Sequence, residues 1–192
     1  MVQLILGSTS PRRASLLSQL GVPFTVLAPE VDESHFAGEA PFIYVARMSN
    51  EKHAAVSRSI DSGPVIIAAD TVVLHDDDIL GKPENEDEGF SMLRRLSGSQ
   101  HRVLTSVTIG SNGINNQQFV VETIVRFRTL TTTECRAYWH TGEPQDKAGG
   151  YGIQGVGAIF IESIQGSYTN VVGLPLTETA QLLRGFRISI LD

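Results

Sequence analysis

The chain has 192 residues, 41% of them hydrophobic and 19% charged, which excludes a disordered or fibrous protein and is long enough for a sizeable core. A formal net charge of −6 argues against nonspecific binding to nucleic acid or anionic membranes. The single cysteine, Cys135, excludes an internal disulfide; runs such as VIIAA are too short to span a bilayer, and MVQLILGS lacks signal-peptide character, so a cytoplasmic protein is expected.

Leu4, Ile5 and Leu6 read as a short buried strand. Ser10 then suits a helix N-cap and Pro11 the first helical position, with Ala14, Leu16, Leu17 and Leu20 at helical spacing and Gly21 as the stop. PFTVLAP (23–29) reads as a second strand and residues 39–60 as a helix. Residues 64–83 combine a near-continuous apolar run, a polar DDD turn and a brief second run, the pattern of a buried strand followed by a hairpin. Residues 84–98 form a helix with acids in its first turn and leucines at period. Alternating strands at 101–111 and 118–130 flank NGINN (112–116), a hairpin signal. A capped helix at 131–142, a glycine-rich stretch and an amphipathic helix from Pro175 to about Gly185 complete the chain. This order predicts an α/β fold with a mixed twisted sheet flanked by helices.

Arg12 and Arg13 lie in the first turn of a helix whose dipole already attracts anions, so they point to a bound polyanion, phosphate above all. Taken alone, the pair also reads as two solvated arginines on a surface helix. Asp70 interrupts an apolar strand, where a carboxylate must be paired, hydrogen-bonded or metal-bound. Asp32 and Glu33 sit on a loop, where solvation is the default without Asp70 as a partner. The three aspartates at 76–78 read as a solvated turn.

Lys82 follows the hairpin, Lys147 opens the glycine-rich loop, and Lys52, taken alone, reads as a surface lysine in a helix. The glycines at 149, 150, 152, 155 and 157 would let backbone approach a ligand closely. The Gln154 amide can pair with both the O4 acceptor and the N3–H donor of uracil or thymine, although it is equally an ordinary loop glutamine. No GxxxxGK[ST] loop, HExxH or CxxC pair occurs. Cys135 has no arginine six residues on, and Ala68 stands where an aspartyl-phosphate phosphatase needs its nucleophile.

With these residues assembled, the chain resembles the Maf family of nucleotide pyrophosphatases, whose fold is related to that of the inosine-triphosphate pyrophosphatases. The motifs are STSPRR, VDE (31–33), EKHA (51–54), AADTVV, GKP, LSGSQHRVLTSV, DKAGGYGIQG and GSYTNVVGLPL, in order along nearly the whole chain. His53 interrupts the usual lysine–alanine pair, and Gly150 stands where alanine is common. The resemblance implies one domain over 1–192, with two lobes around a central nucleotide cleft.

By the same resemblance, Asp70 is the catalytic base, and Glu33 with Asp70 holds a divalent cation, Mg²⁺ or Mn²⁺. Ser8, Ser10, Arg12, Arg13, Lys52 and Lys82 hold phosphates, and Lys147 belongs with the substrate-binding residues. Arg12, Thr71 and Gln154 match the specificity positions. The forms SPRR, ADT and DKAGGYGIQG look like the branch acting on dTTP and UTP; the 7-methyl-GTP branch carries an aromatic residue after SP and a glutamine after the aspartate. The implied reaction yields the monophosphate and pyrophosphate, and the implied assembly is a homodimer. The alternative is a nucleotide-binding regulator of cell division with weak turnover. It explains less, because carboxylates beside a polyphosphate are unfavourable unless a metal bridges them.

Overall fold

The computed structural model describes residues 2–61, 63–111 and 114–191, with the side chains of residues 114 and 115 left out. Strand β1 (Leu4–Gly7) is buried along its length and leads through Ser8–Ser10 into helix α1 (Pro11–Ser18). Ser10 caps α1, its Oγ accepting the Arg13 amide at 3.4 Å, and Pro11 occupies the first turn, where no amide partner is needed. The strand expected over 23–29 contracts to β2 (Thr25–Val26), an exposed edge paired in parallel with β1. Prolines at 23 and 29 bracket it, and a proline cannot donate to a ladder.

Helix α2 (Pro41–Arg58) packs against β1. Strand β3 (Val65–His75) runs parallel to β1, with Gly7 opposite Ala68, and turns back through Asp76 into antiparallel β4 (Asp78–Leu80). Asp76 takes a left-handed conformation at φ +54°, which a short polar side chain tolerates, and its neighbours are exposed as the solvated-turn reading expects. Helix α3 (Glu86–Leu96) starts at an Asn85 cap with three acids in its first turn. Strands β5 (Gln100–Ser111) and β6 (Ile114–Phe127) follow; of the expected NGINN turn, residues 112 and 113 lie outside the described residues, and 114–116 belong to β6.

Helix α4 (Thr132–Trp139) carries a complete capping box between Thr131 and Glu134. Three short 3₁₀ turns lead to β7 (Ile161–Gln165), antiparallel to β6, then to helices α5 (Tyr168–Val172) and α6 (Leu176–Gly185). β7 and α5 both lie within the stretch whose sequence reads as glycine-rich. Hydrogen-bonded neighbours run β2-β1-β3-β5-β6-β7, with β4 on β3, so the sheet is mixed, as expected.

The alternation expected along β5 is absent: Val103–Gly110 is buried without interruption. Small hydroxyl residues at the polar positions make this possible. Ser106 and Thr108 Oγ atoms meet Ser49 Oγ at 2.8 and 3.0 Å, so their polar atoms are satisfied inside.

The chain divides into two compact units. One comprises Met1–Asp70, Thr105–Val121 and Gly173–Asp192, and within it Ile5, Val56 and Ile66 pack together. The other comprises Thr71–Leu104 and Glu122–Val172. Its core includes the edge-on aromatic pairs Phe127–Tyr151 and Tyr138–Phe160, with ring centroids 4.7 and 4.9 Å apart. Among the described residues no helix is long and apolar enough to cross a membrane.

Candidate active site

In the first unit the β1–α1 turn gathers four of the expected residues. Ser8 is buried, and its Oγ accepts the Ser10 amide at 3.1 Å and the Arg13 guanidinium at 3.4 Å. Arg13 Nε donates to the Gly173 carbonyl at 2.9 Å, which fixes the guanidinium against the chain leading into α6. Burial lowers the pKa of Arg13, the charges of Asp70 and Glu33 oppose that, and Arg12 reinforces it. Arg13 therefore lies within the field of both carboxylates, and Ser10 belongs to the helix cap.

Asp70 and Glu33 converge on Lys52. Lys52 Nζ lies 2.7 Å from Asp70 Oδ1 and 2.6 Å from Glu33 Oε1. Read alone as a surface lysine, Lys52 is instead buried. It lies on the inward face of α2 with Val45, Met48 and Val56, so the helical period that made it look exposed turns it inward. Asp70 is 12% exposed at its side chain, while Glu33 is 54% exposed and faces solvent on one side. A buried aspartate thus has the charged partner that its place in an apolar strand demanded.

The loop carrying Glu33 is tied to α2 by residues that the sequence reading passed over. Arg47 grips both Glu39 carboxylate oxygens at 2.7 Å, donates to the Ser34 carbonyl at 2.9 Å and stacks 3.9 Å from the Phe36 ring centroid. The Arg47 hydrogen bonds hold Glu39 down to about 2. Tyr44 donates to the Glu33 carbonyl at 2.9 Å, and burial, with the charges of Asp70 and Glu33, raises its phenol to about 12. Asp32 Oδ1 accepts the Ser34 amide at 2.9 Å and the Ser34 hydroxyl, bonds that hold its pKa low.

The second unit holds the other four. Thr71 follows Asp70 on β3, and strand alternation turns its side chain to the opposite face. Lys82 is exposed just after β4, and the Gly149 amide donates to the Gly81 carbonyl at 2.9 Å, so the segments bearing Lys82 and Lys147 run side by side. Lys147 Nζ donates to Asp146 Oδ1 at 2.6 Å and the Glu143 carbonyl at 2.7 Å. Gln154 is exposed at the tip of the loop from Gly152 to Gly157.

The glycines of that loop lie close against other parts of the protein. A Cβ on Gly157 would fall 2.6 Å from the Tyr138 hydroxyl, one on Gly152 2.7 Å from Lys147 Cε, and one on Gly155 would overlap the Glu143 carboxylate. They make room for the protein's own side chains. Glu143, also missed, accepts the Tyr138 hydroxyl at 2.7 Å, the Val156 amide at 2.7 Å and the Gly157 amide at 3.1 Å. Burial pushes the Glu143 carboxyl up, but these bonds and the charge of Lys147 together hold it below its ordinary value.

Residues 3–186 match the family described as Maf-like protein. A protein of Pseudoalteromonas atlantica named dTTP/UTP pyrophosphatase is 52% identical over 183 residues, covering 94% of this chain and 95% of the relative. One of the same name from Vibrio cholerae is 48% identical over 184 residues, covering 96% and 98%. A solved Mycobacterium abscessus nucleoside-triphosphatase/dITP/XTP pyrophosphatase has a TM-score of 0.43 at 12% identity, over 97% of this chain and 95% of that one. A family match over nearly the whole length, with relatives near half identity, shows that the chain belongs to the Maf-like protein family.

Proposed function

We propose that this chain hydrolyses nucleoside triphosphates between the α and β phosphates, yielding the monophosphate and pyrophosphate, with dTTP and UTP as substrates. One observation carries the reading: two carboxylates, Asp70 and Glu33, close on one cation at 2.7 and 2.6 Å within the field of Arg13. A site that only bound polyphosphate would gain nothing from two carboxylates there. The named activity of relatives near half identity supports the same reading.

The donor set also fits the expected divalent cation. Among the described residues no cluster of three or more His, Cys, Asp and Glu is placed to hold a metal. Paired carboxylates on one cation suit Mg²⁺ or Mn²⁺, which take one or two carboxylates together with substrate phosphates. When bound, such a cation neutralises phosphate charge at the scissile linkage. In this reading Glu33 and Asp70 hold it, and Asp70, the more buried of the two, also accepts the proton of the attacking water. Arg13, Arg12, Lys52 and Lys82 offset phosphate charge, while Ser8, Ser10 and the α1 N-terminus orient it. Lys147, Thr71 and Gln154 are assigned to the nucleotide on the family motifs alone, with Gln154 facing the base.

We further propose that residues 1–192 act as one domain on one nucleotide, in a cytoplasmic homodimer that binds neither nucleic acid nor membrane. Light scattering of the purified protein tests the dimer. Pyrophosphate release from dTTP, UTP, CTP, GTP and 7-methyl-GTP, with Mg²⁺ or Mn²⁺ and with chelator, tests the activity. The expected result is metal-dependent release with dTTP and UTP ahead. Tight nucleotide binding without release would support a regulator instead, and a purine preference would overturn the roles of Arg12, Thr71 and Gln154.

A further inference from the structure

The loop that presents Gln154 is closed on itself by one carboxylate. The Gly152 amide at its start donates to the Tyr138 hydroxyl at 3.1 Å, and that hydroxyl donates to Glu143 Oε1 at 2.7 Å. At its end, the Gly157 amide donates to Glu143 Oε1 at 3.1 Å and the Val156 amide to Oε2 at 2.7 Å. Lys147 Nζ on the Glu143 carbonyl fastens the carboxylate's own backbone. The start of the segment carrying Gln154 is therefore held through Tyr138 and its end directly by Glu143, and the glycines at 152, 155 and 157 permit that approach.

We infer that Glu143, with Tyr138, is a positioning residue for nucleobase choice. This rests on the reading that Gln154 faces the base. A primary amide alone cannot discriminate, since flipping it exchanges donor and acceptor and lets it pair with cytosine as readily as with uracil or thymine. Discrimination needs a scaffold that holds the amide in one orientation, and the Glu143 clamp fixes the backbone on both sides of it. A polar pocket held in this way rejects mismatched hydrogen-bonding patterns strongly, whereas a loose one does not.

Glu143→Gln keeps the shape but not the chemistry. Three donors converge on two carboxylate oxygens, so an amide must set its NH₂ group against at least one of them. Tyr138→Phe removes the hydroxyl bridge and leaves the carboxylate. The experiment compares kcat/KM for dTTP and CTP in the full-length protein, in both variants, in Gln154→Ala, and in Glu143→Gln/Gln154→Ala. Glu143→Gln is expected to lower the dTTP:CTP ratio by about tenfold or more, Tyr138→Phe to lower it less, and Glu143→Gln to add nothing once Gln154 is gone.

An equal fall for both nucleotides, an unchanged ratio, or a full additional loss in the double variant would overturn the inference. If Glu143→Gln does not fold, Tyr138→Phe decides by the same criteria. A ratio unchanged in Gln154→Ala refutes the reading of Gln154 and the inference with it. A ratio changed in Gln154→Ala but unchanged in both clamp variants refutes the clamp alone.

Discussion

Removing either end of the Lys52–Asp70 pair should affect stability very differently, and the difference can be worked from the geometry. Asp70→Asn leaves Lys52 paired with Glu33 at 2.6 Å, and the new amide oxygen can still accept from the ammonium. The loss is then about 1–2 kcal/mol, that of weakening one charged hydrogen bond. Lys52→Met leaves Asp70, 12% exposed, beside Glu33 without the ammonium that both carboxylates contact. Breaking a buried pair in that way costs about 3–5 kcal/mol, and nearby Arg13 places this case toward the lower end. At about 2–4 °C per kcal/mol for a chain of this size, Tm should fall by about 2–8 °C in Asp70→Asn and about 6–20 °C in Lys52→Met. Thermal unfolding in chelator measures both. Turnover should fall by about 10²–10⁴-fold in folded Asp70→Asn, which loses the proposed proton acceptor. An Asp70→Asn protein that melts as low as Lys52→Met would refute the shared-cation account. One with native turnover would remove Asp70 from the chemistry.

Glu33→Gln should raise the Mg²⁺ or Mn²⁺ concentration needed for half-maximal pyrophosphate release; an unchanged titration would remove Glu33 from the cation site. Arg47→Met should flatten the acid limb of the stability curve. Arg47 lowers Glu39 from its ordinary 4.5 to about 2, so the contribution is complete above about pH 4.5 and is lost as pH falls towards 2. Tm measured across that window reads the effect, and an unchanged limb would contradict it. Gly149→Ala should destabilise by about 1–3 kcal/mol, because Gly149 sits at φ +71° and a Cβ would come within 2.9 Å of Val73. Denaturant unfolding measures this, and a neutral result would show that the loop relaxes freely.

What was legible in the sequence is what local chemistry alone determines. The α1 cap, the acidic first turn of α3, the capped helix α4, the β3–β4 hairpin and the family motifs are each set by residues a few positions apart. Asp70 was legible because a carboxylate in an apolar strand cannot be left unpaired. The depth of β5 was not, because Thr105, Ser106 and Thr108 look like an exposed face until Ser49 supplies hydroxyl partners from a distant helix. β7 was hidden for a related reason: its residues are largely exposed, so it carries little hydrophobic pattern, and its pairing with β6 spans a long stretch of sequence.

The residues passed over at the site share one property. Arg47, Tyr44 and Glu143 act on backbone and on other side chains, so no motif of reacting groups points to them. A signal for Glu143 was nonetheless present in the glycine spacing. Gly155 caps a short 3₁₀ turn, Gly157 lies inside it and Gly152 just precedes it; none of the three takes a positive φ, so what each permits is close approach. A ligand was the first candidate, but an acidic ligand of backbone amides can equally come from the protein. The carboxylate that does so is Glu143, upstream of the glycines, which accepts the Val156 and Gly157 amides. That the glycines admit a carboxylate from the chain itself, with Gln154 left exposed at the tip, separates the two tasks: Glu143 shapes the loop, and Gln154 is left exposed for the base contact proposed for it.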